Sequence, residues 1–146
     1  MSRLVFSSSP RFLARRWAGA VLVAGTSAGN TSKDIYVAKY EGSTNTVVWD
    51  DRYDGPGGGE DTAAGLVVDA AGNAIVAGTT SNNGNLDLYV AKLASADGDE
   101  LWSTRDNGPN NRADEATAIA IDSRGDVMVV GGSDNGRNED YVLVKF

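Results

Sequence analysis

The stretch DAAGNAIVAGT (residues 69–79) recurs in this chain at a fixed interval of 53 residues. It aligns without a gap with RWAGAVLVAGT (residues 16–26) and with DSRGDVMVVGG (residues 122–132). The segments 17–69 and 70–122 are identical at 19 of 53 positions. Self-similarity at one period indicates a supersecondary unit that is repeated along the chain.

Each unit is predicted to form four short strands. In the second unit, the turn at residues 69–73 leads into an apolar strand at 74–79 and an Asn- and Gly-rich loop. Strands at 87–93, 100–105 and 115–121 follow, and the last of these leads into the next turn at residues 122–126. An Asp that opens a turn, with a Gly where φ is positive, is typical of hairpins. Short β-branched and aromatic runs between such turns predict an all-β protein.

Four-stranded units of about 40 to 50 residues are typical of β-propeller blades. The pattern D-x-x-G-N-x-x-V-x-G-T, followed by D-x-Y-V-A-K and a Trp, resembles the bacterial β-propeller repeat family called SBBP. The resemblance covers residues 17–146 and implies a propeller of four-stranded blades, about three per chain. The repeats are then 17–69, 70–122 and 123–146.

Three blades are too few for a propeller ring, which typically has four to eight. They leave two apolar blade faces open, and such patches rarely stay exposed. We therefore expect a homo-oligomer, most simply a dimer that completes a six-bladed ring. The third unit shows three strands, and Leu4-Val5-Phe6 resembles a short fourth strand that closes this last blade, with Phe12-Leu13-Ala14 as a first strand.

Residues 1–16 differ from the rest of the chain, because they carry four Arg and no acid. The other 130 residues hold 9 basic and 20 acidic groups, a net charge of −11 against −7 for the whole chain. Three interpretations stay open for this start: a closing strand, a signal remnant, or a cloning or reading-frame artefact. Arg15-Arg16 before an apolar run imitates a secretory signal, whereas the repeat favours a strand. A bacterial protein is expected, either cytoplasmic or exported.

The chain contains no His and no Cys. Their absence excludes Ser-His-Asp and Cys-His nucleophile systems, disulfides and zinc-cysteine sites. The acidic charge argues against a nucleic-acid partner or an anionic membrane surface, since both need basic residues, and no membrane span is expected. A metal site would have to use oxygen ligands, which suit Ca²⁺.

Acidic and amide side chains gather in the loops that a propeller places on one face. The predicted calcium ligands are Asp61, Asp114 and Asp140, and Glu60 or Glu115 is the predicted base for water. Aspartates that recur in every unit, such as Asp140, also have a structural interpretation as turn caps or hydrogen-bond anchors.

A propeller with calcium at its mouth is similar, by architecture only, to the calcium-dependent propeller lactonases. That resemblance implies a hydrolase whose Ca²⁺ polarises the carbonyl of a neutral small-molecule substrate, such as an acyl-homoserine lactone or a sugar lactone. The alternative is a non-catalytic propeller module, for binding or as a scaffold, that recognises glycan or protein.

Overall fold

A computed structural model describes residues 13–29, 31–108 and 111–146 of the chain. The described residues form eleven β-strands and no helix. The predicted closing strand at residues 4–6 lies outside them, as does Phe12. The strands are β1 (Leu13–Trp17), β2 (Ala20–Ala28), β3 (Lys33–Glu41), β4 (Val47–Tyr53), β5 (Thr62–Val68), β6 (Ala74–Asn82), β7 (Asn85–Leu93), β8 (Glu100–Asp106), β9 (Asp114–Ile121), β10 (Val127–Asp134) and β11 (Glu139–Lys145).

The strands build three antiparallel sheets in chain order. Sheet 1 is β1-β2-β3-β4, sheet 2 is β5-β6-β7-β8 and sheet 3 is β9-β10-β11. The all-β prediction is confirmed. Sheets 1 and 2 each have four strands, as predicted for a unit, but they span residues 13–53 and 62–106 and so are offset from the predicted repeats 17–69 and 70–122. Among the described residues, sheet 3 has three strands and β11 pairs with β10 alone.

The turn between the first two strands of each sheet follows the sequence of the repeat. In sheet 2, Asp69 Oδ1 accepts hydrogen bonds from the backbone N–H groups of Ala71 and Asn73, both at 2.9 Å. Gly72 takes the positive φ that this turn requires, at +85°. The first repeat has Arg16 where the others have Asp, so the acceptor is missing there. Its strands instead stay paired through Trp17 and close in a tight two-residue turn.

The sheets pack face to face in the order of the chain. We call the side of a sheet turned toward the next sheet its forward face and the opposite side its rear face. Between sheets 1 and 2, the forward-face side chains of Ile35 and Val37 are buried in one cluster with the rear-face side chains of Val76, Tyr89 and Leu93. Burial of this apolar surface is the main force that holds the two sheets together.

Sheets 2 and 3 repeat the same packing 53 residues later. Leu88 and Val90 on the forward face of sheet 2 share a cluster with Val129, Val142 and Val144 on the rear face of sheet 3. A hydroxyl joins the strands at both interfaces, because the Oγ1 atoms of Thr26 and Thr79 accept the N–H groups of Ala63 and Ala116. The repeat in the sequence is therefore a repeat in packing.

The two ends of the stack differ. On the forward face of sheet 3, Val130, Tyr141 and Leu143 are 43, 102 and 66 % exposed. On the rear face of sheet 1, Val23, Ala38 and Tyr40 form a buried cluster. The sequence predicts two open faces, whereas only the forward face of sheet 3 is open among the described residues. Ring closure and blade number stay predictions.

Candidate functional site

Three aspartates from three chain segments converge where sheet 1 meets sheet 2. Asp34 lies on β3, Asp54 directly follows β4, and Asp61 directly precedes β5. One carboxylate oxygen of each lies within 4.8 Å of the others, a spacing that can hold a metal ion. We call these three residues the acidic triad. Hard cations such as Ca²⁺ prefer carboxylate oxygens.

Asp61 is fully buried and is held by backbone donors. Its Oδ2 accepts the N–H of Gly55 at 2.5 Å, and its Oδ1 accepts the N–H of Ser81 at 2.9 Å. A Cβ at position 55 would come within 2.8 Å of Asp61 Oδ1, so glycine permits this approach. Burial raises the pKa of Asp61 against the lowering effect of the two N–H groups, and neighbouring Asp54 raises it further. Asp61 thus links Gly55, in the loop between β4 and β5, to Ser81 of β6.

Asp34 is also buried, but a cation accompanies it. Arg52 Nη1 lies 3.3 Å from Asp34 Oδ2, and Ser32 Oγ donates to Oδ1 at 3.0 Å. The same guanidinium donates to the carbonyl oxygens of Ser27 and Ala28. Asp54 is exposed. The triad therefore combines an ion-paired carboxylate, a backbone-bound carboxylate and an exposed one.

The equivalent place between sheets 2 and 3 carries Asp87, Asn107 and Asp114. Asp114 is buried against Gly108, where a Cβ would come within 2.7 Å of Asp114 Oδ2. Burial raises the pKa of Asp87, and Asn85 Nδ2 donates to its Oδ1 at 2.9 Å. Because Asn107 replaces the exposed Asp54 of the first repeat, this place has two carboxylates instead of three.

The structure does not gather the predicted calcium ligands Asp61, Asp114 and Asp140. Asp61 belongs to the first interface and Asp114 to the second. Asp140 is exposed on β11, where its oxygens accept amide N–H groups of Asn135 at 2.6 Å and Asn138 at 2.7 Å. In the part of the chain that the structure describes, the acidic triad is the one group of three possible ligands, and it contains only Asp61 of the predicted set.

The two predicted bases lie on the surface. Glu60 is next to Asp61 in sequence, and its Oε1 lies 3.0 Å from Nζ of Lys33, with both side chains more than half exposed. Glu115 is exposed on β9, where its backbone pairs with Gly132. Both carboxylates are therefore open to solvent.

Asp34 and Asp54 were not among the predicted ligands. Asp34 recurs as Asp87 and Asp140, which favours a structural role in a sequence argument. Asp54 is the residue that could have indicated a ligand from the sequence. Its equivalent in the second repeat is Asn107, so the structural interpretation of aspartates that recur in every repeat does not apply to it.

A groove of about 400 Å³ crosses the forward face of sheet 3. Val130, Gly131 and Gly132 of β10 form one side, and Glu139 and Tyr141 of β11 form the other. The groove coincides with the open apolar face described above.

No protein-family model matches the chain, and no curated protein matches it. The SBBP resemblance therefore stays a prediction. The described residues include no helix long and apolar enough to cross a membrane.

Proposed function

We propose that this chain is a non-catalytic module of a β-propeller of the SBBP type, which binds glycan or protein or acts as a scaffold. The three sheets are taken as consecutive blades. The repeated forward-to-rear packing supports this proposal, because Ile35 and Leu88 occupy equivalent buried positions at the two interfaces. Blades of a propeller pack in this sequential manner.

The hydrogen bonds and the burial of Asp61 support the non-catalytic part of the proposal. Both of its oxygens accept backbone N–H groups, and its side chain has no solvent access. Loss of such an acceptor would leave two buried donors unsatisfied, which is costly. Asp61, which is adjacent to the predicted base Glu60 in sequence, therefore already serves a structural role.

Binding without turnover is the test of this proposal. The labelled protein is applied to a glycan array in calcium-containing buffer, and the same preparation is assayed against a panel of neutral lactones. We expect selective glycan binding with no hydrolysis above the buffer rate. Hydrolysis that scales with protein concentration would refute the non-catalytic assignment.

The acidic triad favours a second candidate, a calcium-dependent hydrolase of neutral lactones. In that case Asp34, Asp54 and Asp61 hold Ca²⁺, which would polarise the lactone carbonyl, and Glu60 assists the attacking water. Exposed Asp54 is the ligand that a cation can reach most easily.

Calcium binding separates this candidate from the module. Thermal unfolding is followed with Ca²⁺ and with EGTA for the wild type, Asp54→Asn and Asp51→Asn. Asp51 is an exposed residue of β4 outside the triad, so its variant removes the same charge elsewhere. Calcium at the triad predicts a Ca²⁺-dependent rise in Tm that only Asp54→Asn abolishes. No Ca²⁺ response in any of the three proteins would remove the calcium candidate.

A homodimer that completes a six-bladed ring belongs to the same proposal. A head-to-tail ring needs the rear face of sheet 1 as a docking surface, but Val23, Ala38 and Tyr40 are buried there in the single chain. Ring closure in this form would require that face to open first.

A further inference from the structure

Three Asn-Gly pairs occur in the chain, and they begin at Asn83, Asn107 and Asn135. The side-chain carbonyl of an Asn can be attacked by the backbone nitrogen of the next residue, and glycine has no side chain to obstruct this approach. The attack closes a succinimide ring and releases ammonia, and water then opens the ring to an acid. Because the dipeptide is the same at all three places, differences in rate come from its surroundings.

At Asn107 a carboxylate contacts the attacking atom. The attacking atom is the backbone nitrogen of Gly108, whose N–H donates to Asp106 Oδ1 at 2.9 Å. The nitrogen must lose this proton when it bonds to the side-chain carbon of Asn107. A general base must lie within hydrogen-bond distance of the proton that it removes, and Asp106 meets this condition.

The side-chain amide of Asn107 is held by two neighbours. Asn85 Nδ2 donates to Asn107 Oδ1 at 2.6 Å, and Asn107 Nδ2 donates to Asn111 Oδ1. Negative charge develops on Oδ1 when the carbonyl carbon becomes tetrahedral, and a donor already aimed at this oxygen stabilises the charge. A nucleophile, a base and an oxyanion donor therefore meet at one amide.

We propose that Asn107 is a deamidation site at which Asp106 is the base and Asn85 is the oxyanion donor. Gly108 N bonds to Asn107 Cγ while its proton passes to Asp106. The Cγ–Nδ2 bond then breaks, and Nδ2 takes the proton from Asp106 and leaves as ammonia. Water cleaves the ring at Cγ to give aspartate, or at the backbone carbonyl carbon to give isoaspartate. This inference does not rest on the binding or scaffold function proposed above.

The aspartate product makes the second sheet interface resemble the first. Asn107 is the equivalent of Asp54, and its loop begins Asn-Gly-Pro where the loop of the first repeat begins Asp-Gly-Pro. Only the side-chain amide separates the two sequences there. Its replacement by a carboxylate, beside Asp87 and Asp114, gives sheets 2 and 3 a counterpart of every residue of the acidic triad.

The other two pairs provide comparisons within the same chain. Asn135 has a base of the same kind, because the N–H of Gly136 donates to Asp134 Oδ1 at 2.7 Å. Asn83 lies in the tight turn between β6 and β7. The residue that precedes it is Asn82 and not an Asp, so the equivalent base is missing from this pair. We therefore expect Asn83 to be the slowest of the three.

Peptide mass spectrometry of the full chain measures the three rates. The protein is aged near neutral pH in water labelled with heavy oxygen, because each deamidation introduces one oxygen atom from water. We expect Asn107 to deamidate at least about tenfold faster than Asn83, since general-base catalysis contributes about 10²–10⁴-fold. The product at Asn107 should include isoaspartate, which only opening of the ring can give.

A matched pair of variants assigns the base. Asp106→Ala should slow the deamidation of Asn107 at least about tenfold, and Asp134→Ala, which removes the same kind of contact from Asn135, should leave the rate at Asn107 unchanged. Asn85→Ala should also slow Asn107, because it removes the oxyanion donor. In concentrated urea, which removes the folded contacts, the rates at Asn107 and Asn83 should become similar.

Three results would overturn the proposal. They are a rate at Asn107 no greater than that at Asn83, equal rates at Asn107 in the two aspartate variants, and the same ratio of rates in folded protein and in urea. Circular dichroism of each variant shows that a changed rate is not a loss of folding. If Asp106→Ala fails to fold, Asn85→Ala and the urea comparison still decide whether the folded contacts accelerate the reaction.

Discussion

Replacement of Asp61 by Ala is the sharpest test of how the sheets are held together. The buried carboxylate accepts N–H groups from Gly55 at 2.5 Å and from Ser81 at 2.9 Å. Each buried donor left without an acceptor costs about 1–3 kcal/mol. Removal of a buried charge beside Asp54 and Asp34 offsets a part of that loss. We expect Asp61→Ala to lower the free energy of unfolding by about 2–4 kcal/mol.

The assay is urea unfolding followed by circular dichroism, with thermal melts alongside. For a domain near 150 residues, the expected loss corresponds to a fall in Tm of about 5–15 °C. Asp61→Asn keeps one carbonyl acceptor, so its loss should be intermediate. The neighbour Glu60 gives the matched control, because its exposed ion pair with Lys33 predicts a loss of about 0–1 kcal/mol for Glu60→Ala.

An Asp61→Ala variant that unfolds within about 0.5 kcal/mol of Glu60→Ala would refute the structural role of Asp61. If bound calcium, and not the two backbone donors, accounted for the loss of stability, the variant and the wild type would have the same stability in EGTA. We expect the same difference in the free energy of unfolding with and without EGTA.

Three further predictions concern stability. Although burial opposes it, hydrogen bonds from Lys92 and Asn73 lower the pKa of Asp69 from 3.8 to about 2. The native state therefore binds fewer protons than the unfolded state, so about 2 kcal/mol of stability is present above pH 4 and is lost as the pH falls from about 4 to about 2. Asp69→Asn should remove this step from the pH dependence of urea unfolding. Gly78→Ala should cost about 1–3 kcal/mol, because its Cβ would clash with the backbone oxygen of Thr62 and would come within 2.6 Å of Ile35 Cδ1. At Gly132 a Cβ meets nothing within 4 Å, so Gly132→Ala should be near neutral in urea unfolding. Trp49→Ala should cost about 3–5 kcal/mol and more than Trp102→Ala in thermal melts, since Trp49 is buried and donates to Ser95 O at 3.2 Å, while Trp102 is half-buried.

Much of the fold is predictable because the repeat carries its local chemistry. Asp69 and Gly72 predict a turn. The side chains of the apolar strand that follows alternate between the two packed faces of the sheet. The exception in the first repeat also has a cause in the sequence. Position 16 is Arg and not Asp, and the turn there has only two residues. The bulges next to Ala63 in β5 and Ala116 in β9 have no such signature, although they recur at the same place in the repeat.

The site was harder to predict because it depends on how loops meet across two sheets. Asp34, Asp54 and Asp61 are spread over 28 residues, and their convergence follows from sheet packing. From the sequence, Asp61, Asp114 and Asp140 were grouped because a propeller would place their loops on one face. Asp61 and Asp114 are equivalent positions one repeat apart, so the structure places them at successive sheet interfaces, and Asp140 lies on β11 of sheet 3.

Hydrolysis of a lactone panel in excess Ca²⁺ tests the central claim, that the buried aspartates serve the structure and the chain is not a catalyst. Rates are compared for the wild type, for Asp54→Asn and for the same proteins in EGTA. We expect every hydrolysis rate to equal that of buffer alone. Turnover by the wild type that is lost in EGTA and in Asp54→Asn would contradict it and establish the calcium-dependent hydrolase.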